Sequence, residues 1–274
     1  MNTFNYNLFN TSLHATSNNL DHFKLLKSVY ERNLFKSENK KLLYKLINLT
    51  KDKNNLIKSQ LYQDIFAVLM VGNNYDKTFL EFGATDGLEL SNTYLLENNC
   101  GWTGVLCEPS PQWHDILKKN RPNTRIVTEC IWNKSNQKLR FFVSDVGVLS
   151  TLEEFKESDK LSIPGNTKLR IEKGNLVTVN TISLNELIEK EFNGKSPSYI
   201  SIDTEGSEYE ILKAFDFKKY DPVCFTIEHN FTNLQKDIDE IMKNHNYIRG
   251  LWSFLLKLLS PKYSYFLNIY FYTN

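Results

Sequence analysis

From Asp21 to Leu69, apolar residues recur three and four apart, the spacing of one helix face. Phe23, Leu26, Val29 and Tyr30 form one set, and Leu42, Leu43, Leu46, Ile47 and Leu49 a second. Leu61, Ile65, Val68 and Leu69 form a third. The spacing predicts two or three helices whose Lys- and Asn-rich faces are solvated. Residues 1–20 are rich in Asn, Ser and Thr without periodicity, which predicts a frayed arm. Residues 1–57 are therefore read as a helical extension with a flexible arm, and 58–274 as the main domain.

At Thr78 the pattern changes to short apolar runs alternating with amphipathic stretches. Strands are predicted at Thr78–Phe82, Gly104–Cys107, Arg125–Ile131 and Leu139–Val143. A polar loop is expected from there to about Gly174, then a short extended piece at Val177–Val179. Further strands are predicted at Tyr199–Ile202, Val223–Ile227 and Phe266–Tyr272, the last able to run antiparallel at the sheet edge. Helices are predicted at Leu88–Asn98, Pro111–Asn120, Leu184–Glu191, Tyr209–Ala214 and Leu234–Asn244. Alternating β and α with fully apolar strands implies an α/β fold, a mostly parallel sheet with helices on both faces.

Charge narrows the function. With 33 Lys+Arg against 32 Asp+Glu the net charge is +1, without the basic excess of a nucleic-acid binder, so no nucleic-acid partner is expected. Cys100, Cys107, Cys130 and Cys224 fall in no metal-ligand or disulfide pattern, and three sit in apolar runs. That suits core thiols in a reducing cytoplasm. The N-terminus has no apolar leader, and no run of about 18 apolar residues is present to span a membrane.

In such a sheet, ligands bind beyond the carboxyl ends of the strands. After the first strand comes Glu81-Phe82-Gly83-Ala84-Thr85-Asp86-Gly87, a tight turn whose acids suit a ligand carrying a cationic group. The second strand ends Cys107-Glu108-Pro109-Ser110. Glu108 lies about twenty residues past Gly87, the spacing at which an acid takes a ribose diol. The competing reading is a cap or first-turn acid of the following helix, and the Gly turn one strand earlier favours the ribose. Later strands end in Asp203-Thr204-Glu205-Gly206-Ser207-Glu208 and in Glu228-His229-Asn230. If those strands are neighbours, Asp203, Glu205, Glu228 and His229 share a cleft. His229 is then a candidate general base, and Asp203, Glu205 and Glu228 could hold a divalent metal such as Mg or Mn.

FLEFGATDG with SNTYLLE, GWTGVLCEPSP, YISIDTEGSEYEIL and FTIEHN, in this order, resemble the FkbM-type S-adenosylmethionine-dependent methyltransferases. Ser59-Gln60-Leu61-Tyr62-Gln63-Asp64 resembles the SQ..QD segment of the same group, and the likeness spans about residues 58–250. The resemblance implies a Rossmann-like methyltransferase fold with a seven-stranded sheet. It also implies the cofactor S-adenosyl-L-methionine and transfer to an oxygen of a sugar, glycan or other small polar acceptor. Carried onto this chain, Glu81, Gly83, Ala84, Asp86 and Gly87 line the methionine end, Glu108 with Pro109 holds the ribose, and Asp203 and Glu205 stand near the transferred methyl.

Two other readings stay open at this level. A nicotinamide-dependent oxidoreductase could use the same fold, although the GxGxxG fingerprint is missing. A non-catalytic binding module could descend from it. The aromatic-rich Trp252–Tyr272 suits core packing, an acceptor pocket or a contact in a homo-oligomer.

Overall fold

The computed structural model describes residues 56–144, 147–158, 164–172, 174–229, 234–249 and 268–273. The first two helical sets, the polar arm and, from the aromatic-rich segment, residues 252–267 lie outside the described residues. From Lys58 onward the described residues belong to one unit.

The third helical set forms α1 (Gln63–Val71), in which Ile65, Val68 and Leu69 are buried. Five strands follow in parallel: β1 (Thr78–Phe82), β2 (Thr103–Cys107), β3 (Arg125–Val127), β8 (Tyr199–Ile202) and β9 (Cys224–Glu228). Two more, β10 (Ile248–Arg249) and β11 (Asn268–Tyr272), complete a seven-stranded sheet of order β10-β11-β9-β8-β1-β2-β3. β11 is antiparallel to both neighbours, so the sheet is mixed. It is also not the edge strand expected of it, because β10 pairs outside it.

Between β1 and β3 the chain steps outward through α2 (Tyr94–Cys100) and α3 (His114–Asn120). From β8 to β9 it steps the other way through α6 (Glu208–Ala214). Right-handed crossovers in opposite directions put these helices on opposite faces. The strand order reverses between β1 and β8, where the carboxyl ends open a crevice. Leu80, Phe82, Ile200, Ile202, Phe225 and Ile227 from the strands form one core with Leu187, Ile188, Ile211, Leu212, Ile238 and Met242. The last six belong to α5 (Leu184–Phe192), α6 and α7 (Gln235–Asn244). The Ser183 side chain caps α5 by accepting from the Glu186 amide at 3.2 Å.

A second sheet departs from the expectation. The stretch read as one strand, Arg125–Ile131, divides into β3 and β4 (Cys130–Trp132), and β4 leaves for a four-stranded sheet of order β4-β7-β5-β6. Its other members are β5 (Lys138–Ser144), β6 (Thr151–Leu152) and β7 (Gly174–Ser183). β7 has ten residues where a short extended piece was expected, because pairing with β5 along its length supplies backbone partners that a polar sequence does not advertise. The segment read as a loop holds β6 and the helix α4 (Pro164–Glu172). Cys130, Trp132, Phe141, Leu152 and Val179 give this sheet its own small core. The helix expected at Leu88–Asn98 begins only at Tyr94. The residues before it turn back to serve a buried acid at the end of β1.

Candidate active site

That acid is Glu81, on a strand apolar apart from it and Thr78. Its carboxylate accepts from the Asn92 amide at 2.7 Å, from Ser91 Oγ at 3.1 Å and from Thr93 Oγ1. Burial raises its pKa, partly offset by the Arg121 charge and these donors. Arg121, itself buried, donates Nη1 to the Gly87 carbonyl at 3.1 Å and Nη2 to Thr93 Oγ1 at 3.1 Å, and pairs through Nε with Glu97. Asn92 Nδ2 reaches Ser201 Oγ of β8 at 2.9 Å, joining the turn to the neighbouring strand. Sequence reasoning missed Arg121, a lone Arg at a helix end, and took Ser91–Thr93 for helix.

Within the turn, Gly83 has φ +69°, and a Cβ there would collide with the Asp203 carbonyl oxygen. Glycine is required because the β1 turn presses on the backbone after β8. At Gly87, φ +72°, a Cβ would meet Leu117 Cδ1 at 2.5 Å. Ala84 is buried, its amide donating to the Cys107 carbonyl at 3.2 Å. Asp86 is occupied locally, with Oδ1 accepting the amides of Leu88 and Glu89 at 2.9 and 2.8 Å.

Glu108 spans two turns. Oε2 accepts the Thr85 amide and Oε1 the Ser110 amide, both at 2.8 Å. Thr85 has φ +47°, a costly conformation for a β-branched residue, and Glu108 holds it there. Burial lifts the Glu108 pKa to about 7, against the pull of those amides. Each oxygen keeps a free acceptor site, since a carboxylate offers about four. Ser110 Oγ is buried without a partner beside it, and Pro109 is half-buried. Unfilled acceptors at this strand end fit the hydroxyls of a ribose.

The SQ..QD segment packs close by. Ser59 bridges to Leu90, and its Oγ donates to Asp64 Oδ1 at 2.5 Å, while Asp64 Oδ2 is buried without a partner. Burial raises the Asp64 pKa to about 7.

Register explains the far side of the crevice. Ile202 pairs with Ile227, so Asp203 follows level with Glu228, and His229 comes one residue later. Asp203 and Glu228 bring their carboxyl groups close together. Burial above all, then the charges of Asp203 and Glu205, pushes Glu228 well above the carboxylate range. Burial raises Asp203 as well. His229 is buried, while Asp203 and Glu205 are half-buried. Glu208, counted with these acids from sequence, turns into its own loop: Oε1 accepts the amides of Thr204 and Gly206 at 2.9 and 3.1 Å.

Asp203, Glu205 and Glu228 bring carboxylate oxygens within 4.8 Å of one another, hard donors of the kind Mg or Mn would take. Arg170 Nη2, however, donates to Glu205 Oε2 at 3.2 Å. An ion added there would sit against that fixed guanidinium charge, so the set fits a resident ion poorly.

The family model described as "Methyltransferase FkbM domain" matches residues 81–249. No curated protein matches. Among solved structures, the methyltransferase FkbM from Methylobacillus flagellatus aligns at 14% identity over 91% of this chain and 58% of that one, TM-score 0.44. An O-methyltransferase from Bacillus cereus aligns at 13% identity over 89% and 94%, TM-score 0.36. A precorrin-6y C5,15-methyltransferase from Geobacter metallireducens aligns at 12% over 72% and 76%, TM-score 0.38. The family match, not these likenesses, carries the assignment.

Proposed function

Because the chain belongs to the FkbM methyltransferase family, we propose that it transfers a methyl group from S-adenosyl-L-methionine to a hydroxyl of a sugar or glycan. The observation that supports this most is the gathering of the turn after β1, Glu108 and Asp203 around one switch in strand order. The cofactor supplies an electrophilic sulfonium methyl. Glu108 takes the ribose diol through its remaining acceptor sites. The Gly83–Gly87 turn, with Glu81 and Asp86 at its edges, shapes the methionine end. A sugar hydroxyl is a weak acid, so a base must remove its proton as the new O–C bond forms. His229 fills that role, and Asp203 and Glu205 orient the hydroxyl. A crevice lined by half-buried carboxylates suits a small polar acceptor better than an apolar one.

Calorimetry with S-adenosylhomocysteine tests the cofactor assignment. Glu108→Ala should weaken binding by about 1.5–3 kcal/mol, the worth of hydrogen bonds to a charged group. Unchanged affinity would overturn the ribose role. The acceptor is sought by following S-adenosylhomocysteine release across nucleotide-linked and glycan sugars. With an acceptor found, His229→Ala should slow turnover by roughly 10²–10⁴-fold at unaltered cofactor affinity. Full activity would remove His229 as the base.

A further inference from the structure

The carboxyl groups of Asp203, Glu205 and Glu228 converge at the ends of β8 and β9, and like charges at that distance need compensation. Glu205 is met by Arg170, which is wholly buried on α4. Arg170 Nε donates to the Leu149 carbonyl and Nη1 to the Lys156 carbonyl, both at 2.7 Å, while Nη2 faces Glu205. The guanidinium is thus fixed by acceptors from three places in the chain. The same segment grips the Glu205 backbone: its carbonyl accepts from Thr151 Oγ1 at 3.0 Å and Ser158 Oγ at 3.4 Å. Glu205 has φ +58°, a conformation that surroundings must enforce in a residue other than glycine. At Gly206 a Cβ would meet Ser158 Oγ at 2.8 Å, so the contact is close all along this turn.

We propose that Arg170 is the resident cation of this cluster, a positioning residue that holds Glu205 at the crevice and occupies the place a divalent ion would need. An arginine keeps its charge at any working pH, and its planar fork suits fixed acceptors on several sides. A divalent ion among these carboxyl groups would sit against the fixed guanidinium charge, which already meets Glu205. The proposal deepens the methyltransferase reading and rests on it: methyl transfer at these strand ends then proceeds on protein groups alone.

The test compares wild type with Arg170→Met, similar in volume but uncharged. Calorimetry and thermal unfolding are run with MnCl₂ and, separately, with S-adenosylhomocysteine. Wild type should take up no Mn²⁺ at about 1 mM, the weak end of protein calcium-type sites. Removing one partner of a buried pair should lower the unfolding temperature of Arg170→Met by about 10 °C. Added Mn²⁺ should return much of that loss. Arg170→Met/Glu205→Gln should lose the Mn²⁺ response. A merely structural arginine predicts the same fall with no rescue by the ion, and that result overturns the proposal. Stoichiometric Mn²⁺ binding by wild type, abolished by Glu205→Gln, overturns it too and needs no Arg170 variant that folds. Failure of wild type to bind S-adenosylhomocysteine would strike the cofactor reading instead and leave the metal results to decide the role of Arg170.

Discussion

The two sheets of this protein solve different problems. In the seven-stranded sheet, β8 and β9 are buried at every position. In the four-stranded sheet, β7 leaves Asn175, Leu176, Thr178 and Asn180 exposed. Strands covered on both faces can expose chemistry only at their ends, and there Glu81, Glu108, Asp203 and Glu228 sit. The smaller sheet has an open side and contributes through individual side chains. Thr151, Ser158 and Arg170, from β6, α4 and the turn between them, reach across to the turn after β8. One sheet provides the crevice and the other braces its wall.

The largest expected effect that could break this contrast is at Gly83. The clash of a Cβ with the Asp203 carbonyl is against backbone, so no flexible side chain can move aside. Gly83→Val should cost more than about 4 kcal/mol in urea unfolding, the range reserved for severe lesions. Wild-type stability would show that the β1 turn and the β8 turn are not pressed together.

Next comes pH. Asp64 and Glu108 both have folded pKa values of about 7 against ordinary values of 3.8 and 4.5. Raised folded values favour the native state at low pH, and that contribution is lost as pH rises from about 4 to 7. Asp64 should account for roughly 4 kcal/mol and Glu108 for roughly 3 kcal/mol across that window. Stability should therefore be greater at pH 5 than at pH 8, and Asp64→Asn should flatten the profile by its share. A profile that rises through this window would mean these carboxyls are better solvated than their burial implies.

The smallest effect sharpens the other side of the contrast. Arg140 on β5 pairs with Glu153 at 2.9 Å, with the Arg140 side chain 64% exposed. Arg140→Ala should cost less than about 1 kcal/mol. A larger loss would mean that the small sheet depends on its surface as the large one depends on its core.

Periodicity was enough to place β1, β2, β8, β9 and β11, although it ran β3 into β4 and missed β10, and dense motifs marked the acids Asp203, Glu205 and Glu228 that the fold brings together. Apolar runs such as Tyr199–Ile202 and Cys224–Ile227 have few alternatives to a doubly covered strand, and residues placed just past them meet at the crevice. The sequence showed only Val177–Val179 of β7, whose flanking polar residues hide a longer strand that exists because β5 pairs with it. Nor could it show that Ser91–Thr93 leave the helix to satisfy Glu81, or that Glu208 serves its own loop. Arg121 and Arg170 are single arginines without motif or period, and their roles arise only when carbonyls and carboxylates distant in sequence close around them. A local pattern records which surface an element must bury. Which buried charge meets which partner is decided by tertiary packing, because desolvation penalises every unpaired choice and only the folded chain brings the partners together.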